Sequence, residues 1–155
     1  MSSNELKEQP SFDIVRIQVR TTNDLAIKDN TIIDLWQRFF HENWLKRIPN
    51  KIDHDIIAVY YDYARDRSGK YNILIGCKVR PSKSGSIKMP IDAWHINMAA
   101  HKARIFTLDL QCVGMLGLWK RVWQLEDEKK INRSYSVDYE IYPKIGTPTL
   151  YIGVN

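Results

Sequence analysis

The chain has 155 residues, 44% hydrophobic and 26% charged. That balance suits one soluble domain with a sizeable core and excludes a disordered chain. No apolar run approaches the roughly 18 residues that span a bilayer, and the polar start MSSNELKEQPSFD carries no signal-peptide segment. The expected location is therefore cytoplasmic, with no membrane partner. The formal net charge is +5, but Lys and Arg are interleaved with Asp and Glu along the chain. The densest cluster, Lys78 to Lys88, falls in a Pro/Ser/Gly-rich connector, and no helix-turn-helix, zinc-finger or RNA-binding signature is present. The basic balance reads as a solvated surface, with no direct DNA binding expected. Cys77 and Cys112 have neither CxxC nor Cys/His spacing, so they read as small buried apolar residues, and no metal or other cofactor is expected.

In chain order, residues 1–11 read as a disordered or loosely ordered N-terminus. FDIVRIQVR at 12–20 alternates and is rich in β-branched residues, which predicts a strand. Ile33, Trp36, Phe40 and Trp44 follow helical spacing, and Thr31-x-x-Asp34 resembles a capping box. Two strands follow, in 56–69 and 71–79, joined by the turn Asp66-Arg67-Ser68-Gly69. Residues 80–90 read as a linker, and 91–101 as a short extra element or loop. A second strand-helix-strand-strand series then runs through ARIFTLDL at 103–110, MLGLWKRVW at 115–123, RSYSVDYEIYPKIG at 133–146 and TLYIGVN at 149–155.

The two series match in order. Leu35-Trp36 recurs as Leu118-Trp119, Asp62-Tyr63 as Asp138-Tyr139, and Ile75-Gly76 as Ile152-Gly153. Such an internal repeat predicts an α+β fold: a tandem pseudo-twofold pair of β-α-β-β modules with an antiparallel sheet and a central ligand cavity between the helices. Module one spans 12–79 and module two 91–155, within a single domain over 12–155.

Aromatic residues cluster on the repeat elements, and Trp36, Phe40, Trp119 and Trp123 are the ring candidates for the cavity wall. Glu140 stands out inside the strand YSVDYEIY, where glutamate has poor β-propensity and a buried charge is costly. Asp138 and Tyr142 share its face; Val137, Tyr139 and Ile141 form the apolar one. The repeat aligns Glu140 with Ala64, a small residue that would leave room opposite the carboxylate. Aromatic rings around a carboxylate suit an organic cation. The four histidines have no Ser or Cys partner in a nucleophile motif, and no phosphate loop is present.

The stretches LWQRFF, RIPNKI, IIAVYYDYARDRSGKYNILIGCKV, KARIFTLDL, LGLWKRVW, RSYSVDYEIY and LYIGVN resemble the GyrI-like effector-binding family, the small-molecule domain of bacterial multidrug-responsive activators. The resemblance implies that Glu140, in its Asp-Tyr-Glu-x-Tyr motif, faces cationic amphipathic or aromatic ligands; many relatives carry a Glu where Ala64 stands here. It implies a stand-alone binder, monomer or homodimer, of the kind carried on mobile gene cassettes, with a sequestering role. Two alternatives come with it. One is hydrolysis of strained cyclopropane-type compounds, with Glu140 as general base and Tyr60 or Tyr142 beside it; the other is a gyrase-inhibitor-like protein interaction.

Overall fold

The structure, a computed structural model, describes residues 5–80 and 94–155. In chain order the elements are β1 Glu5–Gln9, β2 Phe12–Thr21, α1 Asn23–Lys28, α2 Thr31–His41, α3 Trp44–Arg47, β3 Ile56–Tyr61, β4 Tyr71–Val79, β5 Trp94–Met98, β6 His101–Thr107, α4 Gly114–Asp127, β7 Arg133–Tyr142 and β8 Thr149–Val154. The expected linker at 80–90 lies outside the described residues from 81 onward.

All strands join one antiparallel sheet in the order β1-β6-β8-β7-β3-β4-β2-β5. β6-β8-β7 mirrors β2-β4-β3, and the two triplets meet where β3 pairs with β7. The pairing fixes which residues correspond. Ile75 pairs with Ala58 and Ile152 with Asp138, so the matched Ile-Gly pairs make Ala58 the counterpart of Asp138. Two residues further on, the counterpart of Glu140 is Tyr60. The pseudo-axis then passes between Val59 and Tyr139, which pair directly. The alignment of Glu140 with Ala64 is therefore corrected. The first hairpin is longer, since more residues separate Ala58 from Ile75 than Asp138 from Ile152. The repeated Asp-Tyr letters therefore fall at different points of the two hairpins, and Ala64 lies exposed beyond the end of β3.

Two further expectations are corrected at the edges. Glu5–Gln9, expected to be loosely ordered, forms β1 on β6, a pairing that backbone groups make without hydrophobic alternation. β5, assigned to the second module, pairs with β2 of the first. Each module thus lends its leading strand to the other.

This exchange curls the sheet. β1 and β2 are six strands apart in the sheet, about 29 Å at ~4.8 Å per strand if flat, yet only Pro10 and Ser11 join them, a reach of about 11 Å. The ends must approach each other, and they do. Phe12 at the start of β2 lies 5.5 Å from the Tyr139 ring and 6.2 Å from His101 at the start of β6. The inner face closes over Ile14, Ile57, Val59, Leu74, Val137 and Tyr139, all buried.

The outer face carries the helices. Leu35 and Phe39 of α2 and Trp44 of α3 pack on β2 and β4; Leu118, Trp119 and Val122 of α4 pack on Phe106, Leu150 and Ile152. The long helix expected through Trp44 breaks at Asn43, whose φ of 63° is left-handed. Thr31 does not cap: its hydroxyl bonds Thr21 at 2.6 Å, and Asn30 precedes the helix with no side-chain cap bond.

Candidate functional site

β3 and β7 present Ala58 and Tyr60, then Asp138, Glu140 and Tyr142, to the helix side, because alternate residues of a strand share a face. Tyr60 belongs to the packing of both halves. A cavity of about 180 Å³ opens here between α1, α2 and α4, lined by Ala26, Ile32, Tyr60, Tyr63, Tyr71, Leu116, Trp119 and Trp123, with Asn23, Ile27, Arg67 and Arg133 completing the wall.

Glu140 is inward, as its sequence context implied, and only 3% exposed. It lies behind the cavity wall and does not line the cavity. Tyr60 Oη donates to Oε2 at 2.9 Å, Trp119 Nε1 to the same oxygen at 2.7 Å, and Tyr142 Oη to Oε1 at 2.6 Å. Burial raises the Glu140 pKa above the ordinary carboxylate value, while the bonds from Tyr142, Trp119 and Tyr60 pull it back. Burial, then the neighbouring carboxylate, pushes Tyr60 and Tyr142 well above the usual phenol range. Both hydroxyls therefore stay protonated and remain donors.

A second buried carboxylate lies one pleat along β7. Asp138 accepts Tyr63 Oη at 2.5 Å and Arg133 Nη2 at 2.7 Å on one oxygen, and the Gly153 amide at 2.9 Å on the other. The Arg133 guanidinium lies 4.3 Å from the Tyr135 ring centre and 5.7 Å from that of Trp119. At the mouth, Arg67 donates to the Trp123 carbonyl at 3.2 Å and to Asp127 at 2.9 Å. This ties the β3–β4 loop to the end of α4.

Among the residues chosen from sequence, Tyr60, Trp119, Tyr142 and Glu140 form one hydrogen-bonded cluster, and Trp123 lines the cavity beside Trp119, with ring centres 6.2 Å apart. Trp36 sits one step away, edge-on to Tyr142 at 5.1 Å. Phe40 stacks on Trp36 but is 58% exposed, on a shallow groove along α2 and away from the cavity. Ala64 is exposed and takes no part. Sequence reasoning missed Tyr63, Tyr71, Arg67, Arg133 and the pairing of Asp138 as parts of the site. Only Asp138 carried a signal, its shared face with Glu140.

Residues 5–154 match the family described as integron-associated effector binding protein. The integron cassette protein from the mobile metagenome of Vibrio cholerae superposes with a TM-score of 0.71 at 24% identity, covering 97% of this chain and 95% of that one. The protein SAV2435, solved bound to tetraphenylphosphonium, superposes at 0.66 with 14% identity, covering 97% and 93%. At these identities the likenesses establish the fold. No curated protein matches the sequence.

Proposed function

This chain belongs to the family of integron-associated effector-binding proteins, and from that premise we propose that it binds cationic, amphipathic aromatic molecules in the cavity between α1, α2 and α4. One observation carries the reading: a buried carboxylate, Glu140, is bonded to the polar edges of two rings, Tyr60 and Trp119, that line the cavity. The carboxylate acts through those rings, which stand between it and the ligand. In a water-poor interior its field reaches the cavity with little screening, and the rings supply cation–π surface. Four carboxylates (Glu126, Asp127, Asp138 and Glu140) surround the site against the two guanidiniums of Arg67 and Arg133.

Drug-sized ligands occupy pockets of about 300–1,000 Å³, more than the roughly 180 Å³ enclosed here. A larger ligand would therefore extend into the mouth, where Ile27 is 81% and Leu116 60% exposed. The solved relative that holds tetraphenylphosphonium supports this ligand class, and sequestration of such compounds is the role that fits. General-base hydrolysis asks for a carboxylate that reaches the substrate; Glu140 stands behind Tyr60 and Trp119 and does not line the cavity.

The test pairs two ions of one shape, tetraphenylphosphonium and tetraphenylborate. The cation should quench tryptophan fluorescence saturably and raise the melting temperature in proportion to occupancy. Equal binding of the anion would remove charge selection from the reading, and no binding of either would end it.

A further inference from the structure

Resting on that binding function, we infer that the cavity selects fully alkylated onium cations, such as quaternary ammonium, phosphonium or sulfonium, over protonated amines of the same shape. The wall is poor in acceptors. Its lining contains no Asp or Glu among the described residues, and each of the two carboxylates behind it already accepts three donors from the protein itself. Glu140 takes Tyr60 and Trp119 on one oxygen and Tyr142 on the other. Asp138 takes Tyr63 and Arg133 on one oxygen and the Gly153 amide on the other. The third wall hydroxyl, Tyr71, donates to Asn23 Oδ1 at 2.8 Å, and the Asn23 amide donates to the Arg67 carbonyl at 3.2 Å.

Arg133 Nε is buried with no partner, so one of the protein's own N–H groups beside the cavity goes unmet. The side-chain acceptors of the wall itself are neutral, the phenolic oxygens and Asn23 Oδ1, which already accepts from Tyr71. A protonated amine entering this space would lose water from its N–H and find no carboxylate in exchange, a penalty typical of unsatisfied buried donors. An onium head carries its charge on C–H groups, which need no acceptor and rest against aromatic faces. Arg133 shows that these rings tolerate a cation, since its guanidinium already lies over Tyr135, Trp119 and Tyr63.

The experiment measures benzyltrimethylammonium and protonated N,N-dimethylbenzylamine near neutral pH, each by displacement of tetraphenylphosphonium, so that weak binding is still read. One extra buried methyl accounts for roughly fourfold. The expected preference for the quaternary ion is about tenfold or more, from the unmet N–H. Equal or tighter binding of the amine would overturn the inference and leave cation binding standing. Failure of both to displace the probe would overturn it too. If tetraphenylphosphonium itself binds no better than tetraphenylborate, the underlying reading is what has failed. The cause is tested with Tyr60→Phe, which frees a lone pair on Glu140 beside the cavity. The preference should shrink several-fold in that variant; an unchanged ratio would refute the engagement of Glu140 by its own donors as its origin.

Discussion

Glu140→Gln separates the shape of the buried group from its charge. With its carbonyl oxygen at the Oε2 position, the glutamine keeps the donors Tyr60 and Trp119; its amide then faces Tyr142, whose hydroxyl can turn to accept. Three charge-assisted bonds become neutral ones, a loss of about 1 kcal/mol each. Against this, the several-kcal/mol cost of an ionised group in a dry interior disappears. The two nearly cancel, so stability near neutral pH should change by no more than about 2 kcal/mol. The pH dependence is sharper. Burial raises the folded-state pKa of Glu140 above 4.5, so between those values the folded chain binds a proton that the unfolded chain has released. The stability linked to this group is complete below the unfolded pKa and is lost as pH rises through the folded one. The variant lacks that loss and should gain on the wild type as pH rises across the window. Urea denaturation followed by tryptophan emission over a pH series reads this directly. Tetraphenylphosphonium affinity should fall by about 1–3 kcal/mol in the variant, and in the wild type alone it should weaken as acid neutralises the carboxylate. Parallel pH profiles for both proteins, or an unchanged affinity, would refute the assignment of Glu140 as the counter-charge.

Asp138→Asn leaves the fully buried Arg133 guanidinium with only the longer ion pair to Glu126 at 3.5 Å and should cost about 3 kcal/mol by chemical denaturation, much of it recovered when Arg133 is also replaced by an apolar residue. Gly76→Ala puts a methyl onto the Val15 carbonyl oxygen and 2.9 Å from Arg16 Cα, both backbone atoms that cannot step aside. A loss of about 3 kcal/mol in unfolding free energy, read as a lower denaturant midpoint, is expected. Trp119→Phe should abolish most of the quenching produced by a bound cation, while Trp36→Phe, which alters a ring outside the cavity wall, should leave most of it; the reverse pattern would move the site to α2.

What the sequence made legible were the parts with a long repeating signal. β4 occupies the expected 71–79 and β2 begins at Phe12 as expected, because alternation over nine or ten residues leaves little freedom of phase. α1 and α3, with 6 and 4 residues, are too short to develop a helical period. β1 was invisible for another reason: ELKEQ has no apolar face and is held by backbone pairing alone. At the site, Glu140 announced itself by being a carboxylate in a strand interior. The identity of its donors did not, because Tyr60 is 80 and Trp119 21 positions away, and nothing local sets such distances. Phe40 obeys helical spacing from Trp36, yet the buried stripe of α2 runs through Leu35 and Phe39, and Phe40 lies about 100° round the helix from Phe39. Ala64 failed because the β3–β4 hairpin is longer than the β7–β8 hairpin, so identical letters in the two connections are not equivalent in the pairing.

The correspondence of Tyr60 with Glu140 across the pseudo-axis has a consequence for how such a site can be encoded. Two identical copies of one module, associating as a symmetric dimer, would put the same side chain at both positions. Two glutamates there would repel each other in a dry interior; two tyrosines would offer two phenols and no anion. Joining the modules into one chain frees the two positions to differ. One then supplies the acid and the other the donor that steadies it, 2.9 Å apart. The broken symmetry at this spot is a chemical asset that a symmetric pair of identical copies cannot hold.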